Sequence, residues 1–176
     1  RLRRIRKSTY TKHGLDKKFG LTLTMPSTYK IFKENETTSW FQRETQKGHI
    51  NLLVTTTPYD EDIVDEQNLE KIIILHDSIG KAFIPGRLPN SYFITEKAYE
   101  PYIYSTTFGK KSALEIRGTW EVKGDFMAGP FLQYIINDKP NNRNIVLEGF
   151  VFAPSTAKRD YVFEIETVLR SLQETR

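Results

Sequence analysis

The sequence predicts an α+β protein, a largely antiparallel twisted sheet packed by two amphipathic helices, and three observations carry that prediction. The run Lys111 to Phe152 divides into three successive strand patterns separated by turn-forming residues. Two stretches, Asp65 to Phe83 and Thr156 to Gln173, repeat their apolar residues at helical spacing. The order is strands, helix, strands, helix, which suits helices laid on an antiparallel meander rather than the strict alternation of a parallel sheet.

The chain opens without an initiator Met on a basic cluster, Arg1, Arg3, Arg4, Arg6 and Lys7, interrupted by Leu2, Ile5 and Tyr10 near helical spacing and followed by Gly14. Basic residues in a last turn and a glycine just past it are the marks of a helix end. Residues 1–14 are therefore expected to finish a helix from an upstream region of a longer precursor, with one domain over 15–176. Phe19 to Met25 alternates Leu21, Leu23 and Met25 with Thr22 and Thr24 before Pro26, the pattern of a half-buried strand. Short strands follow at Tyr29 to Lys33 and Ser39 to Glu44. After a turn at Lys47 and Gly48, the β-branched run His49 to Thr57 forms a strand closed by Pro58.

The acidic stretch Asp60 to Glu66 precedes a helix whose stripe is Leu69, Ile72, Ile73, His76, Ile79 and Phe83, with Asp65 as its N-cap. Pro85 and Gly86 stop it, and Ile84 to Ser91 reads as loop. Tyr92 to Lys97 and Tyr102 to Phe108 are aromatic, β-branched strands, the second turning through Gly109 and Lys110. In the next strand Leu114, Ile116, Trp120 and Val122 alternate with Glu115, Arg117, Thr119 and Glu121. Irregular chain at Lys123 to Pro130 then leads to strands at Phe131 to Ile136 and Ile145 to Phe152. Gly118 and Gly149, inside strand patterns, mark bulges or close backbone approaches. Ser155 or Thr156 caps a last helix with Tyr161, Val162, Ile165, Val168, Leu169 and Leu172 on one side.

Composition narrows the chemistry. With 176 residues and 38% hydrophobic content the chain suits a single domain with a substantial core. It has no cysteine, which excludes disulfides, thiolate metal sites and a Cys nucleophile. No apolar run is longer than that at Ile72 to Leu75, far short of the roughly 20 residues that cross a bilayer as a helix. The net charge of +4 comes largely from the opening cluster, and without a recognised motif beside it no nucleic-acid partner is expected.

The histidines are His13, His49 and His76, and no G-x-S-x-G or H-E-x-x-H pattern accompanies them. His76, on the apolar stripe beside Asp77, reads as a hydrogen-bonded core histidine. Catalytic residues, metal and cofactor are therefore expected to be absent. Asp60 to Glu66 lacks the spacing of a calcium loop and reads as a solvated helix start. An alternative, a glycan- or peptide-directed hydrolase, draws on Glu115, Glu121, Asp125 and Glu148, and needs two carboxylates about 5 to 9 Å apart. Ion pairs with Arg117 account for the same residues. Tyr92, Phe93, Tyr99, Tyr102 and Tyr104 cluster around the proline-rich loop. The expected ligand or partner surface is centred on Pro85 to Tyr104, with the Gly124 to Phe131 turn as a second candidate. Its residues are Tyr92, Tyr99, Tyr102, Tyr104, Arg117 and Asp125.

Several segments together carry a resemblance: WFQRET at Trp40 to Thr45, NLLVTTTPY at Asn51 to Tyr59, SYFITE at Ser91 to Glu96, LEIRGTWEVKGDFMAGPF at Leu114 to Phe131 and EGFVFAP at Glu148 to Pro154. Across nearly the whole chain they resemble the second half of the envelope lipoproteins grouped as domain of unknown function 4837. GDFMAGPF is the most specific match, and Ala128 departs from the second glycine expected there. The resemblance implies a Gram-negative protein of the periplasm or outer membrane, held only by a lipid anchor outside this chain. It also implies an envelope protein or glycan as partner, and supplies no catalytic residues. A looser likeness in element order points to the fold shared by Mog1 and the photosystem extrinsic PsbP proteins. The function expected is a noncatalytic interaction or ligand-binding module.

Overall fold

A computed structural model describes residues 9–10 and 13–175. In chain order the elements are β1 (Thr9–Tyr10), α1 (Leu15–Phe19), β2 (Leu21–Thr22), β3 (Met25–Pro26), β4 (Lys30–Glu34), β5 (Thr38–Thr45), β6 (Gly48–Pro58), α2 (Leu69–Phe83), β7 (Tyr92–Thr95), β8 (Tyr102–Phe108), β9 (Lys111–Lys123), β10 (Ala128–Asp138), β11 (Arg143–Phe152), α3 (Arg159–Leu169) and β12 (Gln173–Glu174). Eight strands form one sheet in the order β4-β5-β6-β11-β10-β9-β7, with β8 also on β9, and every pairing is antiparallel. β9 is long enough to take two neighbours in succession on one side, β8 along Lys111 to Arg117 and β7 along Trp120 to Lys123.

Both faces of the sheet are buried, and the period of two assigns residues to them. One face carries Ala113, Leu132, Tyr134, Ile145, Leu147 and Val151 against Ile165, Val168 and Leu169 of α3 and Leu15 and Phe19 of α1. The other carries Leu114, Ile116, Trp120, Phe131, Ile135, Val146 and Phe150 against Ile72 and Ile79 of α2. Each long helix lands on a glycine or brings one. A side chain on Gly80 of α2 would run into the Phe93 carbonyl, and one on Gly149 of β11 into Ile165.

Several expected boundaries shift for identifiable reasons. Thr9 and Tyr10 pair with Met25 and Pro26 as a short strand instead of ending a helix; residues 1–8 and 11–12 of that expected helix lie outside the described residues. Gly14 and Gly20, both left-handed at φ 76° and 68°, bracket the single turn of α1 and break the strand expected over Phe19 to Met25 into two short pieces. Leu21, Leu23 and Met25 are nonetheless all buried, so the alternation marked burial correctly where the ladder is interrupted. The helix expected from Asp65 starts at Leu69. The Asp65 carboxylate accepts the Gln67 N–H and shapes the turn before it, and Asn68 holds the N-cap position. The last helix spans 159–169, neither starting at Thr156 nor reaching Gln173. Ser155 has φ 56°, and beyond Ser171, whose hydroxyl accepts the Thr24 N–H, the chain pairs with β2 as β12.

Gly80→Ala and Gly149→Ala are each expected to lower unfolding free energy by about 1–3 kcal/mol, measured by urea denaturation. An unchanged midpoint in either would show that its helix does not approach the sheet so closely.

Candidate functional site

α2 packs beside β7 and leaves the β5–β6 side of its face without a helix. Aromatic residues fill that space. Trp40 of β5, Phe150 and Phe152 of β11, Trp120 of β9, Phe93 of β7 and Phe32 of β4 stand in ring contact from one strand to the next: Phe32 to Trp40 at 4.6 Å, Trp40 to Phe150 at 6.1 Å, Phe150 to Phe93 at 4.7 Å, Phe93 to Trp120 at 5.3 Å and Trp120 to Phe152 at 6.4 Å. They wall a cavity of 380 Å³ completed by Ile84, Pro85, Gly86, Val122 and Met127. Its polar groups are the exposed Lys33, Glu44 and Arg87 and the half-buried Gln42 and His49. Burial holds the His49 imidazole below its usual pKa, against the opposing pull of Glu44, which favours the neutral ring at pH 7.

Two buried donors near this cavity are unused. The Trp120 indole N–H has no hydrogen-bond partner, nor has the Asn51 Nδ2. The orientation of Asn51 is fixed by its other end, where Oδ1 accepts from Trp40 Nε1 and Gln42 Nε2, each at 3.0 Å. A buried donor without an acceptor is energetically unfavourable by about 1–3 kcal/mol. An apolar cavity of a few hundred Å³ with a few polar groups converging on it is the usual form of a small-molecule site. The GDFMAGPF segment builds one wall. A side chain on Gly129 would meet the Val151 carbonyl and the Trp120 indole, whereas Ala128 points to solvent, so its methyl is tolerated where a second glycine was expected.

The expected residues separate into three places. Arg87, in the proline-rich loop, lines the cavity and forms a two-bond fork with Asp125 at 2.9 Å. Tyr92 packs near Lys81 and Lys123 and does not line it. Tyr102 and Tyr104 stand across from Arg117 and Glu115 on the α3 face, 70% and 52% exposed, and Tyr99 is exposed in the loop before them. Arg117 is engaged: its Nε bonds Glu115 at 2.6 Å and its Nη2 reaches Glu166 of α3 at 2.9 Å, on the wall of a separate groove of 650 Å³. Trp40, Trp120, Phe150 and Phe152 were legible only as strand residues. An aromatic residue on a strand has the same spacing whether a helix or a cavity lies above it.

The alternative of paired acids is not formed. Glu115 stands opposite Tyr134 and Glu148 opposite Gln133, successive residues of β10, so the two carboxylates lie on opposite faces of the sheet. Asp125 is in the turn with Arg87, and Glu121 faces Ile94 at the β7 edge. Glu115 accepts from Arg117, Tyr134 and Arg170; burial would raise its pKa, and these donors hold it below the usual carboxylate range. Among the described residues no three His, Asp or Glu are grouped to hold a metal ion, and no helix is long and apolar enough to cross a membrane.

His76 is a core histidine with charged partners. It is 2% exposed, its Nε2 3.0 Å from Glu148 Oε1 and its Nδ1 2.7 Å from Thr95 Oγ1 and 3.4 Å from Asp77. The ring stacks on Phe131 at 4.3 Å. Burial alone would lower its pKa, but Glu148 and Asp77 overcome that and raise it to about 9. The cluster ties α2 to β7 and β11, and none of His76, Asp77, Thr95 and Glu148 lines the cavity.

Comparison with known proteins places this geometry. A family model described as a domain of unknown function (DUF4837) matches residues 8–171. No curated protein matches by sequence. Among solved structures, the Saccharomyces cerevisiae Ran-binding protein Mog1p is similar over 95% of this chain and 94% of its own, with 10% identity and a TM-score of 0.56. A point mutant of Mog1 is similar over 96% and 95%, with 8% identity and a TM-score of 0.53. The shared property is the fold, a curled antiparallel sheet with helices on it. LpqN of Mycobacterium tuberculosis, described as involved in cell envelope biogenesis, superposes more loosely, at 11% identity, 89% and 83% coverage and a TM-score of 0.44.

His76 has a higher pKa folded than the ordinary 6.5, so the stabilisation from its charged form is whole below about pH 6.5 and is lost as pH rises through about 9. Chemical denaturation is expected to show stability falling over that window by about 3 kcal/mol, and Glu148→Gln to flatten the fall. A profile level from pH 6 to 10 in the unmodified chain would contradict the ion pair.

Proposed function

We propose that this chain, which belongs to the DUF4837 family, is a noncatalytic ligand-binding module of a bacterial envelope lipoprotein. The observation that carries the reading is the aromatic cavity with buried donors left unused beside it. Ring walls favour an apolar body. An unpaired indole N–H and an unpaired amide favour an oxygen acceptor on that body, such as a carbonyl. The resemblance of the chain to envelope lipoproteins supports the location. The hydrolase alternative lacks its two neighbouring acids.

The chain contains two tryptophans, Trp40 and Trp120, and both line the cavity. Their emission therefore reports directly on occupancy. Titration with methyl esters of increasing chain length is expected to shift the emission saturably. Phe32→Ala removes an exposed ring tilted against Trp40, and is expected to weaken binding about threefold to tenfold without changing the melting temperature. If no ester perturbs the emission, or if Phe32→Ala leaves the affinity unchanged, the cavity is not the site.

A further inference from the structure

The two edges of the sheet are built differently. β4, at one edge, carries Lys30, Lys33 and Glu34 in five residues, and its pairing with β5 is broken by a register shift between Ile31 and Lys33. Charges and bulges of this kind keep an edge from accepting another strand. β8, at the other edge, reads YIYSTTF: seven residues with no charge, proline or glycine, in regular register with β9 along its whole length. Among the described residues no strand pairs with its outer side.

The outward backbone groups can be identified. Arg170 Nη1 donates to the Thr107 carbonyl at 3.3 Å, so Thr107 faces away from β9, and the alternation of an antiparallel ladder makes Ile103 and Ser105 do the same. Outward N–H and C=O groups spaced two residues apart fit the backbone of another extended strand, the Thr107 carbonyl exchanging its Arg170 bond for one across the contact. The side chains indicate which strand. β8 laid antiparallel on a second β8 about a two-fold axis through Ser105 sets Tyr102 across from the second copy's Phe108, and Tyr104 across from its Thr106. Aromatic cross-strand pairs of this kind stabilise a sheet. The same register carries the exposed Glu100 of each copy to the exposed Lys110 of the other, at both ends of the contact. Neither charge is paired among the described residues. Opposite charges thus meet wherever charges meet along the strand itself.

We propose that β8 is a self-association edge, through which two copies of this chain join their sheets into one continuous antiparallel sheet. The interaction is separate from the aromatic cavity, to whose lining β8 contributes no residue. Two features oppose it: Arg170 holds the outward Thr107 carbonyl at each end of the contact, and Glu66 lies near its axis. Ser105 Oγ donates to Glu66 at 2.9 Å, so the two Glu66 carboxylates face each other near the axis. Removing that charge tightens the dimer.

Sedimentation velocity of the full chain over a range of concentrations is expected to show a monomer–dimer equilibrium. Tyr104→Lys shifts it to monomer with unchanged circular dichroism and melting temperature. Lys110→Glu weakens association about tenfold by turning both end contacts into like-charge pairs. Adding Glu100→Lys restores it, and Glu66→Gln strengthens it. Lys110 and Glu100 are solvent-exposed turn and loop positions, so their variants keep the test valid even if Tyr104→Lys folds poorly. A monomer at every concentration overturns the proposal, as does a dimer unaffected by the charge reversal and its rescue, or one joined through another surface.

Discussion

A sheet has two faces to cover, and this chain provides one long helix for each. On the α3 side the cover is nearly complete, because α1 and the segment through Met25 extend it over β5 and β6. On the α2 side the turn around Ile63 extends it over β9 and β10, and β5 and β6 are left without a helix. Exposed strand faces of Leu and Val there would leave apolar surface in water, at a cost of roughly 25 cal/mol per Å². The chain places Trp and Phe instead, large enough to shield one another across neighbouring strands. The aromatic cavity is thus a consequence of unequal cover, and its walls are fixed by the same packing that holds the sheet.

Fixing α2 in its restricted position requires more than apolar contact. Gly80 lets the helix backbone close on β7, and His76 joins Glu148 of β11 and Thr95 of β7 across the interface between helix and sheet. A buried ion pair contributes little net stability against an apolar replacement, yet losing one partner leaves the other charge stranded. Its effect here is to specify where α2 docks. Helix docking in turn positions Ile84 to Arg87, one wall of the cavity.

Much of the fold was legible because its signals are local. The alternation at Leu114 to Val122 and the helical stripes at Ile72, His76, Ile79 and at Ile165, Val168, Leu169 each appear in the structure on the buried side. The turn at Gly109 and Lys110 also stands where its residues place it. What sequence left open is which elements share a face. Glu115 and Glu148 read as acids on or next to neighbouring strands, and only the register against Tyr134 and Gln133 of the intervening β10 reveals that they are separated by the thickness of the sheet. Of the surface expected around Pro85 to Tyr104, Pro85 and Phe93 line the cavity, as does Met127 of the Gly124 to Phe131 turn, while Tyr102 and Tyr104 stand on the edge strand β8. The rings that line the cavity come from strands far apart in the chain, so no single stretch carries their pattern.

The division of β9 between two neighbours has a dynamic consequence. Gly118 marks the change of partner, with β8 on one side of it and β7 on the other. β7 is tied to α2 through the Asp77 bonds to Thr95 and the close approach at Gly80, whereas β8 has no such tie to α2. Strand and helix are therefore coupled, so that an excursion freeing one frees the other and breaks the His76–Glu148 pair to β11, while the rest of the ladder can stay closed. Amides of Phe93 and Thr95 would then exchange with solvent together with those of the helix, and each such excursion would open the floor of the cavity beneath Phe93 and Trp120.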